Sequence, residues 1–122
     1  MSKKILIIEH DPVLRELARK KFQAEHFEVV MAPDAISGIV EIKLKKPDAV
    51  LMDIALPGAD GFEILKEIKE DKFVSHTPVI MISNLAERQL VQKSRVLGAH
   101  ACVEKSQLAS GELVRQVKSI LA

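Results

Sequence analysis

The chain has 122 residues, of which 48% are hydrophobic, 29% charged and 3% aromatic. This length fits one folded domain, and we expect residues 1–122 to form it. Lysine and arginine together number 18 against 17 aspartates and glutamates, which gives a formal net charge of only +1. The even charge and the absence of Trp and Tyr argue against direct nucleic-acid binding. A single cysteine, Cys102, excludes an internal disulfide, and no apolar run reaches the ~20 residues of a membrane span. We therefore expect a cytoplasmic protein without a membrane partner.

Five short apolar segments alternate with five longer amphipathic ones along the chain. The predicted strands are Lys4–Glu9, Phe27–Met31, Asp48–Asp53, Pro78–Ser83 and Ala101–Glu104. Three of these contain continuous apolar runs, which are typical of strands covered on both faces. The alternation predicts a doubly wound α/β fold, in which helices cover both faces of a five-stranded parallel sheet.

The segments between the strands have apolar residues at the period of an α-helix. Asp11 followed by Pro12 predicts the start of the first helix, and Gly98 predicts the end of the fourth. We expect Met31, Met52, Met81 and Cys102 to fill the core. The helix residues predicted to face the core are, in chain order, Leu14, Leu17, Ala18 and Phe22; Ile36, Ile39, Val40 and Leu44; Phe62, Leu65 and Ile68; Leu90, Val91 and Leu97; and Leu113, Val114, Val117 and Leu121.

Polar residues stand where the predicted strands end. The first strand ends at Glu9, the third at Asp53 and the fourth at Ser83, while Lys105 follows the fifth. Ligands of open parallel sheets bind beyond the carboxyl ends of the strands. The sequence therefore predicts a site at this edge that combines carboxylates, a hydroxyl and an ammonium group.

Several of these segments carry a family resemblance. Ile5–Glu9, Leu51–Gly58, Asp60–Gly61 and Gly98–Ala99 resemble the receiver domain of bacterial response regulators, and the resemblance extends from about Lys4 to Leu121. It implies a flavodoxin-like, three-layer α/β/α fold with sheet order 2-1-3-4-5. It also implies a signalling domain without turnover of a separate substrate, which receives a phosphoryl group from a histidine kinase or phosphotransfer protein.

The resemblance assigns a role to each residue of the predicted site. Asp53 is the expected phosphoacceptor, Ser83 the switch hydroxyl and Lys105 the group that pairs with the phosphoryl oxygens. Mg²⁺ is expected to bind Glu9, Asp53 and the backbone carbonyl of Ala55. The output is expected to be a downstream protein that docks on the face formed by the fourth helix, fifth strand and fifth helix.

The sequence departs from the family pattern at four positions. His10 stands where a second acidic residue is usual, so it either binds the metal or points to solvent. An imidazole in the metal site weakens Mg²⁺ binding and makes Mn²⁺ possible. Ser106 replaces a proline after Lys105, which predicts a trans peptide bond there. Cys102 replaces an aromatic residue, and Asn84 replaces a small one.

These departures leave two further hypotheses beside the phosphoacceptor. One is a pseudo-receiver, which binds partners without phosphorylation because His10 replaces a metal-binding acid. The other is a small flavin-binding module of the same fold, although the chain lacks the Trp and Tyr residues that usually stack on a flavin.

Overall fold

The computed structural model describes residues 2–85 and 87–122. Its strands are β1 (Lys4–Ile8), β2 (Glu28–Ala32), β3 (Ala49–Asp53), β4 (Ala55–Leu56), β5 (Ala59–Asp60), β6 (Val79–Ser83) and β7 (Ala101–Glu104). Its helices are α1 (Pro12–Ala24), α2 (Ala35–Lys45), α3 (Gly61–Glu70), α4 (Arg88–Val96) and α5 (Gly111–Leu121), with a short 3₁₀ helix at Lys105–Ala109. The five strands predicted from the sequence are therefore present, each within one residue of its predicted ends.

Five strands form one parallel sheet in the order β2-β1-β3-β6-β7. In terms of the five predicted strands this is the order 2-1-3-4-5, so the predicted topology is confirmed. The two remaining strands, β4 and β5, pair antiparallel directly after β3. The sequence analysis did not predict this short hairpin.

The central strands are buried on both faces, as their apolar runs predict. Leu6 and Met52 point into a core that α2, α3 and α4 cover. Ile7 and Leu51 point to the opposite side, into a core that α1 and α5 cover. Because successive side chains along a strand point to opposite faces, each central strand supplies both cores.

The predicted ends of two helices are confirmed by their hydrogen bonds and backbone angles. Asp11 caps α1, since its Oδ1 accepts the N–H groups of Val13 at 2.9 Å and Leu14 at 3.3 Å. Gly98 follows Leu97, the C-cap residue of α4, and has a φ of +102°. A residue with a side chain rarely adopts this angle, so the glycine permits the helix to end here.

The predicted buried face of α2 is wrong. Ile36 is 81% exposed, Leu44 70% and Val40 47%. A Cβ atom on Gly38 would lie only 2.5 Å from Ile8 Cδ1, so α2 approaches β1 through a residue that has no side chain. The buried residues of this helix are Ala35, Gly38 and Ile42. Because small residues make the contact, the larger apolar residues turn outward.

Two further core predictions are wrong, and others are confirmed. Leu17 is 41% exposed and Met31 37% exposed, the latter because β2 is an edge strand with a neighbour on one side only. Met52 and Met81 are fully buried, and Cys102 is buried in β7. Among the described helices, none has both the length and the apolar content to cross a bilayer.

Candidate functional site

Three charged side chains meet at the carboxyl edge of the sheet, where the strand ends predict a site. Glu9 follows β1, Asp53 ends β3 and Lys105 follows β7. The ammonium Nζ of Lys105 lies 2.7 Å from Asp53 Oδ2 and 3.2 Å from Glu9 Oε1. Since β6 lies between β3 and β7, the long lysine side chain crosses the end of that strand to reach both carboxylates.

This cluster is almost closed to solvent. Glu9 is 0% exposed, Asp53 1%, and the Lys105 side chain 20%. Burial is the main cause that raises the pKa of Glu9 above its ordinary value, the charge of Asp53 adds to the rise, and the Asp11 N–H opposes it. Burial alone would lower the pKa of Lys105, but its contacts with Asp53 and Glu9 outweigh burial and raise that pKa. Two like charges share one buried pocket, so a bound cation would relieve their repulsion.

Backbone N–H groups orient the two carboxylates. Asp53 Oδ1 accepts the N–H of Ala55 at 2.9 Å, and Glu9 Oε1 accepts the N–H of Asp11 at 3.0 Å. Glu9 Oε2 is buried and has no hydrogen-bond partner among the described residues. A buried carboxylate oxygen of this kind is a ligand that Mg²⁺ prefers, so the pocket fits a divalent cation.

His10 lies outside this buried cluster. Its side chain is exposed. Within residues 2–85 and 87–122, no three acidic, histidine or cysteine side chains are placed together to hold a metal ion. The buried pocket therefore offers two carboxylates, from Glu9 and Asp53, and His10 follows Glu9 in the chain with its side chain exposed.

Ser83 ends β6, the strand next to β3. Asp53 stands opposite Ile82 in the sheet, so Ser83 lies one position further toward the same edge. It is only 9% exposed, and its Oγ accepts the N–H of Leu85 at 3.3 Å. Because the oxygen accepts this bond, the hydroxyl proton can be donated to a ligand at the site.

The segment that follows Asp53 is packed against the start of α3. The N–H of Gly61 donates to the carbonyl of Ile54 at 2.7 Å. A Cβ atom on Gly61 would lie 2.6 Å from the Asp53 carbonyl oxygen and 2.7 Å from Ile54 Cα. The Asp60-Gly61 pair of the sequence motif thus has two functions, since Asp60 Oδ1 also accepts the N–H of Phe62 and caps α3. Both features fix the loop that carries Asp53.

One residue of the site region was missed by sequence reasoning. The guanidinium Nη1 of Arg15 donates to the carbonyls of Glu9 at 3.0 Å and His10 at 3.1 Å. It thereby ties the loop after β1 to the first turns of α1. Its only sequence signal is its position one helical turn after Asp11, which is too common to single it out.

The chain beyond Lys105 follows the expectation drawn from Ser106. No cis peptide bond occurs among the described residues, so the Lys105–Ser106 bond is trans, as predicted. The 3₁₀ helix begins at Lys105 itself and leads into α5, which Ser110 caps through the N–H of Glu112.

The comparisons with known proteins agree with this geometry. The sequence model of the response regulator receiver domain matches residues 5–118. The transcriptional regulatory protein CseB of Streptomyces coelicolor is 32% identical over 117 residues, which cover 96% of this chain and 48% of CseB. The chain thus spans about half the length of that relative. The polar-differentiation response regulator DivK of Brucella ovis is 27% identical over 121 residues, which cover 99% of this chain and 98% of DivK.

A solved structure gives the same result for the fold. The CheY-like response regulator receiver domain protein of Methanospirillum hungatei superposes with a TM-score of 0.88 at 26% identity. The superposition covers 99% of this chain and 94% of that one. The family match, the fold and the strand order are those that the resemblance implied. The chain belongs to the response regulator receiver domain family.

Proposed function

We propose that this chain accepts a phosphoryl group on Asp53 from a phosphohistidine of a histidine kinase or phosphotransfer protein. The observation that carries the proposal is the buried Asp53 carboxylate with the Lys105 ammonium 2.7 Å away. A buried carboxylate beside a fixed cation is a nucleophile held next to the group that can stabilise an incoming phosphoryl.

The transfer requires one bond to form and one to break. An oxygen of Asp53 attacks phosphorus while the phosphorus–nitrogen bond breaks, and the imidazole nitrogen keeps the electron pair. The product is an acyl phosphate on Asp53. Lys105 then exchanges its contact with the carboxylate for one with a phosphoryl oxygen, and Ser83 donates its hydroxyl proton to another.

The pocket is suited to a divalent cation during this reaction. Glu9, Asp53 and the backbone carbonyl of Ala55 would hold Mg²⁺, and the unpartnered buried Oε2 of Glu9 supports that assignment. The ion supplies positive charge that offsets the repulsion between the carboxylates and the phosphoryl oxygens. Mn²⁺ suits the same oxygen ligands.

The signal leaves the domain by protein docking. The Leu85 N–H bonds Ser83 Oγ, so a movement of Ser83 toward a phosphoryl group shifts the loop that leads to α4. A groove of about 420 Å³ lies on the face of α4, β7 and α5, with Cys102 in its lining. We propose this face as the site of a downstream protein partner. Direct nucleic-acid or membrane binding is not part of the proposal, and a cytoplasmic location stays a prediction.

A pseudo-receiver is the second candidate. His10 is exposed and the buried pocket holds two carboxylates, so the affinity for a divalent cation is lower than a third anionic ligand would make it. In that case the same scaffold binds its partners without accepting a phosphoryl group.

One experiment separates the two candidates. The chain is treated with acetyl phosphate and Mg²⁺, or Mn²⁺ in a parallel sample, and its intact mass is measured. We expect a single phosphoryl adduct on the wild type and none on Asp53→Asn, with unchanged circular dichroism. An adduct of equal yield on Asp53→Asn would move the acceptor to another residue. A wild type that gains no adduct with either metal would favour the pseudo-receiver.

A further inference from the structure

Phe73 differs from every other aromatic residue of the chain. The sequence has four phenylalanines and neither Trp nor Tyr. Phe22, Phe27 and Phe62 are buried, whereas Phe73 is 76% exposed. A large aromatic side chain left in water is the kind of residue that contributes most to binding a partner.

The loop between α3 and β6 holds Phe73 in a defined position. The Phe73 N–H donates to Asp71 Oδ1 at 2.9 Å, and the Asp71 carbonyl accepts the N–H of Ser75 at 2.8 Å. The ammonium of Lys69 donates to the carbonyls of Ser75 at 3.0 Å and Thr77 at 2.7 Å. These bonds order the loop before any partner arrives, so the ring can bind without the entropic cost of ordering its backbone.

Phe73 borders a groove between this loop and the C-terminal end of α2. The groove has a volume of about 680 Å³. Its lining consists of Lys43, Lys46, Asp71, Phe73, Val74 and His76. We call it the Phe73 groove. Val74 is buried at its base, so the groove combines an apolar floor with a charged rim.

The rim is positive on the α2 side. Lys43 and Lys46 line it, and the Lys72 ammonium lies 5.3 Å from the centre of the Phe73 ring. Asp71 offsets part of this charge, since its Oδ2 lies 3.9 Å from Lys43 Nζ, but one aspartate stands against the three lysines. Positive charge is therefore concentrated here in a chain whose formal net charge is +1.

The opposite side of the same region is acidic. Glu67 and Glu70 of α3 line a neighbouring depression. Their carboxylates would repel a continuous phosphate backbone. A protein segment can instead place individual acidic side chains on the lysine side and leave the acidic side free. The charges therefore favour a peptide over a nucleic acid.

We propose that the Phe73 groove binds an acidic amphipathic segment of a partner protein. Apolar side chains of that segment pack on Phe73 and Val74, and its carboxylates pair with Lys43 and Lys46. The pattern is that of an amphipathic segment laid in an apolar groove with complementary charge at the rim.

The Phe73 groove is remote from the phosphoacceptor. It lies beside the residues that precede β3 and β6, whereas Asp53 lies at the carboxyl end of β3. A five-residue strand separates the two, which is roughly 15 Å. The groove shares no lining residue with the Asp53 site, so the inference stands whether or not Asp53 accepts a phosphoryl group.

The test is a selection with a phage-displayed library of random short peptides on the whole chain. We expect the enriched peptides to combine Asp or Glu with apolar residues at helical spacing. They should bind the wild type and Asp53→Asn equally, and bind Phe73→Ala and the double variant Lys43→Glu/Lys46→Glu about tenfold more weakly. Phe73→Ala should melt close to the wild type because the ring is mostly exposed.

Matched controls make the result specific. Val96→Ala removes another highly exposed apolar residue, from α4, and Lys20→Glu/Lys21→Glu makes the same charge change on α1. Both controls should bind the selected peptides like the wild type. The proposal is overturned if no peptide is enriched, if the enriched peptides lack acidic residues, or if Phe73→Ala binds them fully. Phe73-dependent binding of single-stranded DNA, or Phe73-dependent dimerisation of the chain itself, would replace it with a different partner.

Discussion

The ammonium of Lys105 lies 2.7 Å from Oδ2 of Asp53. This contact links the residue that follows β7 to the last residue of β3. The same ammonium is 3.2 Å from Glu9 Oε1. In this state the lysine balances the charge of both carboxylates, of which Asp53 is the proposed phosphoacceptor. Under the proposed function, phosphorylation of Asp53 would exchange this contact rather than create a new one, so we expect Lys105 to have both a structural and a chemical role.

Lys105→Met should destabilise the chain at neutral pH. The variant keeps the length of the side chain but leaves the buried carboxylates without their cation, at a cost of about 1–3 kcal/mol when the partial exposure of Lys105 is allowed for. The pKa of Lys105 is raised, so its contribution is present below its ordinary pKa of 10.5 and is lost as pH rises through the folded value.

The pH dependence of Lys105→Met follows from the same charges. Loss of the lysine raises the pKa of Glu9 further, so the variant takes up a proton there as pH falls and recovers part of its stability. Urea denaturation at pH 7.5 and pH 5 should thus show a smaller difference from wild type at the lower pH. Lys66→Met, on the exposed face of α3, serves as the control and should differ little from wild type at either pH. An equal loss for Lys105→Met at both values would contradict the ion-pair explanation.

The acyl phosphate on Asp53 should hydrolyse slowly once it has formed. Ala55 and Leu85 stand two positions after Asp53 and Ser83, and neither has a polar side chain to orient an attacking water. Ala55→Gln should shorten the half-life of the adduct, because an amide can position that water, whereas Ala55→Leu should not. The decay is followed by intact mass after removal of the phosphodonor. A half-life of seconds in the wild type would refute the prediction.

His10→Asp should strengthen Mg²⁺ binding and speed phosphorylation. The variant adds an anionic oxygen ligand next to Glu9, where the wild type has an exposed imidazole. Changes around a metal site commonly alter affinity by about 10–100-fold, and we expect at least the lower figure. The measurement is a Mg²⁺ titration followed by treatment with acetyl phosphate.

The control for His10→Asp is His100→Asp, which makes the same charge change at an exposed residue before β7. It should leave both Mg²⁺ affinity and phosphorylation unchanged. If His10→Asp and the wild type had equal affinities, His10 would not limit metal binding. Tight Mg²⁺ binding by His10→Asp without any adduct would favour the pseudo-receiver.

Gly61→Ala should destabilise the chain by about 1–3 kcal/mol, because its Cβ would lie 2.6 Å from the Asp53 carbonyl oxygen, where the backbone must shift to make room. Gly111→Ala provides the matched substitution, since the atom nearest to its Cβ is Arg115 Nη1 at 3.7 Å. That change should be neutral or stabilising by up to about 1 kcal/mol. Thermal unfolding of both variants checks the prediction, which fails if the two melt alike.

The parallel sheet and the location of the site could be predicted from the residues, and the strand order from the resemblance to the receiver family. Continuous apolar runs such as Ile5–Ile8 are informative because a strand covered on both faces has no polar side, which the buried central strands confirm. The parallel order then places every strand's carboxyl end at one edge. That is why Glu9, Asp53 and Lys105, distant in the sequence, were expected together and are found in contact.

The amino-acid sequence by itself thus determined the alternation of elements, the helix ends at Asp11 and Gly98, and the residues that stand at the strand ends. Only the tertiary structure decided how closely each helix approaches the sheet. On α2 the contact is made by Gly38, which an analysis of apolar periodicity ignores, and Ile36 and Leu44 therefore face solvent. Periodicity detects which residues share a helix face, but the face that is buried depends on how two surfaces fit, and that fit depends on residues from distant parts of the chain.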